Sequence, residues 1–283
     1  MFSYFSALAL TIILTAVTSA FSGIVTSWAD VWKPILLLIP FYLLSIIAVF
    51  LFYFISAIFV KKDGDFVEKP GKFAQAIIRD GSKFITILFR LKFDVTGIEN
   101  IPSNKKSCVF VMNHRGLIDP FCLSGYLKDR NVAFVCKQSL FKIPLVNHFM
   151  FGAGFLALDR QDTKQALRLF LQGKKYLVNG DTNIGIFPEG TRNKDENSNL
   201  LPFHPGSLKL AYKAECPIVV MTMNNSNLVW RRAFTFRRTR IYLNFAKTYQ
   251  FDEFKDRNSV ELTDEIHEVM DKSYEERKNL KKY

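Results

Sequence analysis

The sequence predicts an α/β fold: a mixed sheet of about seven strands flanked by helices, preceded by an N-terminal hydrophobic two-helix membrane anchor. Three observations predict it. Two long apolar runs without interior charge fill the first 60 residues. Short apolar and β-branched runs then recur between residues 93 and 245. Helix-periodic segments fall between several of them, the alternation expected of a sheet with covered faces.

The apolar runs are residues 2–25 and 34–60. Each exceeds the roughly 20 residues needed to cross a hydrocarbon core of about 30 Å. Between them Trp28, Asp30, Trp32, Lys33 and Pro34 form a short turn with interfacial aromatics. The first run lacks the basic segment that opens a signal peptide, and the second would anchor the chain regardless. A spanning hairpin and a helix pair embedded from one leaflet both fit.

Asp30 and Lys33 are the charges of residues 1–60, and they cancel. The formal excess of 38 − 26 = +12 therefore belongs to residues 61–283. Lys61, Lys62, Lys69, Lys72, Arg79, Lys83, Arg90 and Lys92 crowd the flank after the second run, which puts that flank, and the domain after it, on the cytoplasmic face of an inner membrane or its equivalent. A basic domain beside an apolar anchor points to anionic membrane lipids as partners.

Residues 70–91 read as an amphipathic helix, either packed on the core or lying in the interface. Strands are expected at 93–95, 107–112, 132–136, 155–158, 183–187, 218–223 and 240–245. The clearest helix is 163–178, with Asp162 or Thr163 as cap and Asn179-Gly180 as stop. Further helices are expected at 205–213 and 259–282, and the polar loop 194–199 reads as a mobile lid. The chain divides into the anchor (1–60), a basic amphipathic connecting helix (61–92) and a catalytic domain (93–283). Cys108, Cys122, Cys136 and Cys216 contain no Cys-x-x-Cys pair, and they read as buried apolar side chains rather than zinc ligands. The stretch 230–240 mixes five Arg with three aromatics and reads as a headgroup or donor-phosphate contact, not a nucleic-acid site.

Two segments carry chemistry. Asn113-His114-Arg115-Gly116-Leu117-Ile118-Asp119 places an imidazole and a carboxylate five residues apart. On a helix, five residues turn the chain by about 500°, so the two meet only if His114 precedes a helix that begins at Asp119. The apolar run before Asn113 and Pro120 after Asp119 support this, with Asp119 as N-cap. A His beside a carboxylate is a general-base arrangement. The second segment, Phe187-Pro188-Glu189-Gly190-Thr191-Arg192, sets a guanidinium on a Gly-containing turn, an anion cradle.

Asn-His-x-x-x-x-Asp followed by Phe-Pro-Glu-Gly-Thr-Arg resembles the glycerolipid acyltransferases, and most nearly the 1-acylglycerol-3-phosphate (lysophosphatidic acid) acyltransferases. Gly154 to Arg160 and Cys216 to Val220 resemble two weaker blocks of that family, and the likeness runs from Phe93 to Phe245. This chain departs from the pattern at Arg115-Gly116, Ser139, His204 and Val220. The resemblance implies transfer of an acyl group from acyl-CoA or acyl carrier protein to the sn-2 hydroxyl of lysophosphatidic acid, with no metal and no cofactor. His114 would be the base and Asp119 its orienting group. Arg192, with the Gly190 and Thr191 N–H groups, would hold the acceptor phosphate. Glu189 would position Arg192 or accept from an acceptor hydroxyl, and Arg160 and Lys137 are further phosphate candidates. The motifs leave open another acceptor (glycerol-3-phosphate, another lysophospholipid or a lyso-aminolipid), a lipid thioesterase and a non-catalytic lipid adaptor.

Overall fold

The computed structural model describes residues 2–60, 64–102, 106–127, 129–159, 161–195, 197–235 and 237–280. The chain forms two compact units, Met1–Lys61 and Lys62–Tyr283.

In the first unit α1 (Phe2–Ser22) and α2 (Trp32–Ile58) pack on each other. Both are long and apolar enough to cross a membrane. Their shared face is small and polar: Ala7, Thr11 and Thr15 on α1, Ser45 on α2, with the Thr11 hydroxyl donating to Ser45 at 3.1 Å. Leucines, isoleucines and phenylalanines cover the outside, the distribution expected when the surroundings are themselves apolar. Between the helices, Asp30 accepts from the backbone and hydroxyls of Thr26 and Ser27 and pairs with Lys33, which fixes the turn.

The second unit runs α3 (Lys72–Leu88), β1 (Leu91–Thr96), β2 (Val109–Met112), α4 (Asp119–Tyr126), β3 (Val132–Lys137), α5 (Val146–Gly152), β4 (Leu156–Leu158), α6 (Thr163–Val178), β5 (Asn183–Ile186), α7 (Lys209–Ala214), β6 (Ile218–Asn224), α8 (Leu228–Arg232), β7 (Thr239–Tyr249), α9 (Phe251–Phe254) and α10 (Ser259–Lys278). The seven strands form one mixed sheet in the order β1-β7-β6-β2-β5-β3-β4. β6, β2, β5, β3 and β4 are parallel, β7 is antiparallel to β6, and β1 is parallel to β7.

β2 explains the layering. Its four residues are all buried, and they alternate between two cores. Phe110 and Met112 join Cys122, Leu123 and Ala74 of α4 and α3, while Val109 and Val111 join Leu169, Leu210 and Leu262 of α6, α7 and α10. A strand covered on both faces reads as a continuous apolar run, as 107–112 does. All four cysteines are free, and burial pushes the thiols of Cys108, Cys136 and Cys216 up to about 12, which leaves them unreactive.

Several boundaries differ from the sequence expectation. The helix expected over 205–213 is a 3-10 turn (Pro205–Leu208) that passes into α7, and α10 ends at Lys278. The amphipathic helix α3 packs on α4 and α5 and buries Ala74 and Phe84, while Phe73 and Leu88 stay exposed. Lys61 and Lys62 lie outside the described residues.

α10 is fastened to the sheet through Glu265. Its carboxylate accepts from the Tyr249 hydroxyl and the Arg257 guanidinium, both at 2.6 Å, and from Lys247 at 3.3 Å. The Tyr249 hydroxyl first, then Arg257, holds the Glu265 carboxyl down at about 2. A lowered carboxyl stabilises the fold above its unfolded value, and that contribution fades as pH falls from about 4.5 toward 2. Urea unfolding of Glu265→Gln should show a lower midpoint than wild type at pH 7 and a shallower loss of stability between pH 4.5 and 2. Parallel curves for the two proteins over that range would contradict this role.

Candidate active site

The site forms where β2, β5 and β6 end. These strands are parallel, so the loops after Met112, Ile186 and Asn224 leave the same edge of the sheet, the edge where open α/β folds bind ligands. Asn113 begins the first loop and is fully buried. Its side-chain oxygen accepts from Met223 N at 2.7 Å and its amide donates to Met223 O at 3.0 Å, so it continues the β2–β6 ladder by one side-chain rung.

The next five residues fold back on Asp119. Gly116 O accepts from Asp119 N, which closes a tight turn at the start of α4. Asp119 Oδ2 then takes three donors: Arg115 N at 2.8 Å, Gly116 N at 2.9 Å and His114 Nδ1 at 2.8 Å. The pair expected from spacing therefore meets. Asp119 does not act as an N-cap, however; Ile118 holds that place, and the carboxylate points backward into the loop. Two backbone N–H groups and an imidazole outcompete the helix's own first turn for one carboxylate.

Asp119 is inaccessible, whereas the His114 side chain keeps 19% of its surface. The ring stacks on Phe187 at 4.1 Å and 24°, and Phe187 stacks on Phe134 at 5.7 Å. Phe134 in turn rests on Gly185, where any side chain would run into its ring. With Nδ1 donating to Asp119, Nε2 is left as the acceptor.

Phe187 O accepts from Gly190 N, so Phe187 to Gly190 form a β-turn, and Gly190 takes a left-handed φ of +65° that suits glycine. This turn is fastened to the first loop. Glu189 Oε1 accepts from His114 N at 2.7 Å and Oε2 from Leu201 N at 2.9 Å, while Asn193 N donates to His114 O at 2.8 Å. Both carboxylate oxygens are thus engaged by backbone N–H groups, and among the described residues Glu189 joins the two loops rather than pairing with Arg192. Burial pushes its carboxyl up, opposed by the two backbone N–H groups.

Thr191 and Arg192 emerge from the turn into solvent, and Arg192 has no partner among the described residues. Lys137 is exposed at the end of β3. Arg160 lies outside the described residues. The loop expected to be a mobile lid is tied down: Arg115 Nη1 donates to Asp195 O and Ser198 O, and Asn193 Nδ2 to Ser198 O. Sequence reasoning overlooked Asn113 as a clamp, Asn193 and the Phe187 stack. The one available signal was that each adjoins a motif residue.

Comparison with known proteins gives a consistent result. The model of the Acyltransferase family matches residues 92–224. The chain is 36% identical over 138 residues to a 1-acyl-sn-glycerol-3-phosphate acyltransferase of Borreliella burgdorferi, covering 48% of this chain and 53% of that protein. It is 33% identical over 132 residues to the chloroplastic 1-acyl-sn-glycerol-3-phosphate acyltransferase BAT2 of Brassica napus, covering 47% and 37%. The match therefore spans about half or less of these relatives. The crystal structure of the 1-acyl-sn-glycerophosphate (LPA) acyltransferase PlsC of Thermotoga maritima shares the fold, with a TM-score of 0.61 at 24% identity over 82% of this chain and 89% of that one.

Replacing Glu189 with Gln turns an NH2 group toward a backbone donor and strands one buried N–H. Glu189→Gln should cost about 1–3 kcal/mol in urea unfolding at pH 7. The raised carboxyl favours the fold below its unfolded value of about 4.5, a contribution lost as pH rises through the folded value, so the variant should also lack that slope. Wild-type stability across this range in Glu189→Gln would rule out the clip.

Proposed function

We propose that this chain is a member of the acyltransferase family that moves a fatty acyl group from an acyl thioester, acyl-CoA or acyl carrier protein, to the sn-2 hydroxyl of 1-acylglycerol-3-phosphate, forming phosphatidic acid. The observation that carries this reading is the 2.8 Å contact between His114 Nδ1 and the buried Asp119 carboxylate, with the Phe187–Arg192 turn fastened to the same histidine.

An alcohol is a weak nucleophile, and His114 Nε2 takes its proton as the oxygen attacks the thioester carbonyl. Asp119 keeps the ring in the required tautomer and stabilises the imidazolium. The tetrahedral intermediate collapses with breakage of the C–S bond, and the thiolate leaves with the proton returned by His114. The substrate supplies the hydroxyl that a serine supplies in a hydrolase triad, so no acyl-enzyme is needed. The scheme requires neither a metal nor a cofactor.

Arg192, exposed beside the turn and without a partner among the described residues, offers a planar fork to the acceptor phosphate. The Thr191 N–H group and Lys137 are the supporting donors, whereas the Gly190 N–H, expected to join them, is spent on Phe187 O in closing the turn. α1 and α2 hold the enzyme at a membrane with the sheet unit on the cytoplasmic face, where a two-chain product remains. Exposed Trp230, Phe234, Arg231, Arg237 and Arg238, on and after α8, meet anionic lipid headgroups.

The direct test is the purified full chain in detergent with 1-oleoyl-glycerol-3-phosphate and either thioester. Phosphatidic acid should form, and His114→Ala should lower kcat by about 10²–10⁴-fold without loss of fold. Near-wild-type turnover in that variant, or thioester loss without phosphatidic acid, would sink the scheme. In Arg192→Lys the acceptor KM should rise about tenfold, the equivalent of one charge-assisted hydrogen bond, with kcat much less affected; an unchanged KM would remove Arg192 from phosphate binding.

A further inference from the structure

Asp119 is unevenly served. Oδ2 accepts from three donors, whereas Oδ1, equally buried, accepts from none among the described residues. A carboxylate oxygen sealed from water without a donor is costly, so a donor is expected close by. Gly116 marks where it lies. A methyl group at Gly116 would sit 3.2 Å from Asp119 Oδ1 and 2.9 Å from the Ser226 carbonyl oxygen. The loop after β6 therefore shares the bare face of Gly116 with the empty side of the carboxylate.

Ser226 is completely buried, and its hydroxyl is also without a partner among the described residues. Two further orphaned polar atoms belong to the same strand-end loops: Asn224 Oδ1, an acceptor, and Arg115 Nε, a donor. Arg115 lies 5.5 Å from the ring of Tyr274, and Asn224 Nδ2 donates to the Tyr274 carbonyl, so α10 backs them both. Among the described residues, four of the nine buried polar atoms without a partner thus come from this one corner, two segments joined by the Asn113–Met223 rung. Asn225, between Asn224 and Ser226, holds a left-handed φ of +71° and donates from its side chain to Arg240 O, which turns the chain here.

We propose that Ser226 is a positioning residue for the dyad: its hydroxyl, through one internal water, supplies the donor for Asp119 Oδ1. This rests on the reading of His114 and Asp119 as the catalytic pair. A donor on Oδ1 fixes the carboxylate about its Cβ–Cγ bond and keeps Oδ2 aimed at His114 Nδ1. Ser226 touches no substrate and acts through Asp119. Gly116 is small because the Ser226 backbone and the Asp119 carboxylate both approach it, which brings the loop that carries the hydroxyl to the carboxylate.

The test uses the full chain in detergent with Ser226→Ala and Ser226→Thr. Four histidines make 15N-histidine spectra tractable, and the His114 signals are assigned by their loss in His114→Ala. Ser226→Ala should shift the His114 ring signals and lower kcat roughly 10- to 100-fold, the rate equivalent of one hydrogen bond to a charged group, with acceptor KM within about twofold. Ser226→Thr, which keeps the hydroxyl, should restore most of the rate. Ser226→Ala with unmoved His114 signals, wild-type kcat and an equal or higher Tm would overturn the proposal, since deleting an unpartnered hydroxyl is neutral or stabilising. If the wild type transfers no acyl group, the functional reading fails by itself, and the His114 signals still decide whether Ser226 positions the pair.

Discussion

The peptide unit of His114 is gripped from both sides by one later segment. Glu189 accepts its N–H, and Asn193 donates to its carbonyl. Between two loops that leave adjacent parallel strands, these bonds do what a further pair of strand residues would do, but with a carboxylate in place of a peptide. The geometry of the site follows. With its backbone fixed at both ends, the His114 ring lies on Phe187, where Asp119 reaches Nδ1. A buried carboxylate is an expensive choice for such a clip, and its two short backbone bonds are what make it tolerable.

The division of labour among the acids is the second lesson. Asp119 and Glu189 are both buried and both bind backbone N–H groups, yet Asp119 alone touches a titratable ring. Arg115 shows the same pattern among the cations. It is spent on the carbonyls of the following loop and on Tyr274, whereas Arg192 is left uncommitted at the surface. Within one motif pair, then, Glu189 and Arg115 are bound to backbone groups of distant segments, whereas Arg192 is exposed.

Much of the fold was legible because its signals are local. α6 carries its cap, its apolar stripe and its Asn-Gly stop within a single stretch, and it spans the expected residues. The central strands were legible because burial on both faces makes them nearly continuous apolar runs, with Asn183, Thr222 and Asn224 as the polar exceptions. The meeting of His114 with Asp119 was legible because five residues allow few geometries. What could not be read was any bond whose partner is distant in sequence. Glu189 was assigned to its neighbour Arg192, whereas its partner lies 75 residues upstream. Asn113 resembles a turn residue until Met223, 110 residues on, is brought alongside. Asp119 before Pro120 carries every local mark of an N-cap, and those marks do not register three competing donors behind it.

The strand order bears on how the protein emerges from the ribosome. β2 carries the dyad loop and lies between β5 and β6, so its first neighbour is complete only at residue 186 and its second only at residue 224. β1 waits longer still, because its sole neighbour is β7. At synthesis rates of about 5–20 residues per second, the apolar helices are available for insertion several seconds before the sheet can close. Until β5 is made Val109 to Met112 is a bare, wholly apolar strand with two open edges, and until β6 is made it keeps one, the kind of segment that pairs with the wrong partner. The topology thus exposes the segment that leads into the His114 loop to mispairing while the rest of the sheet is still being made.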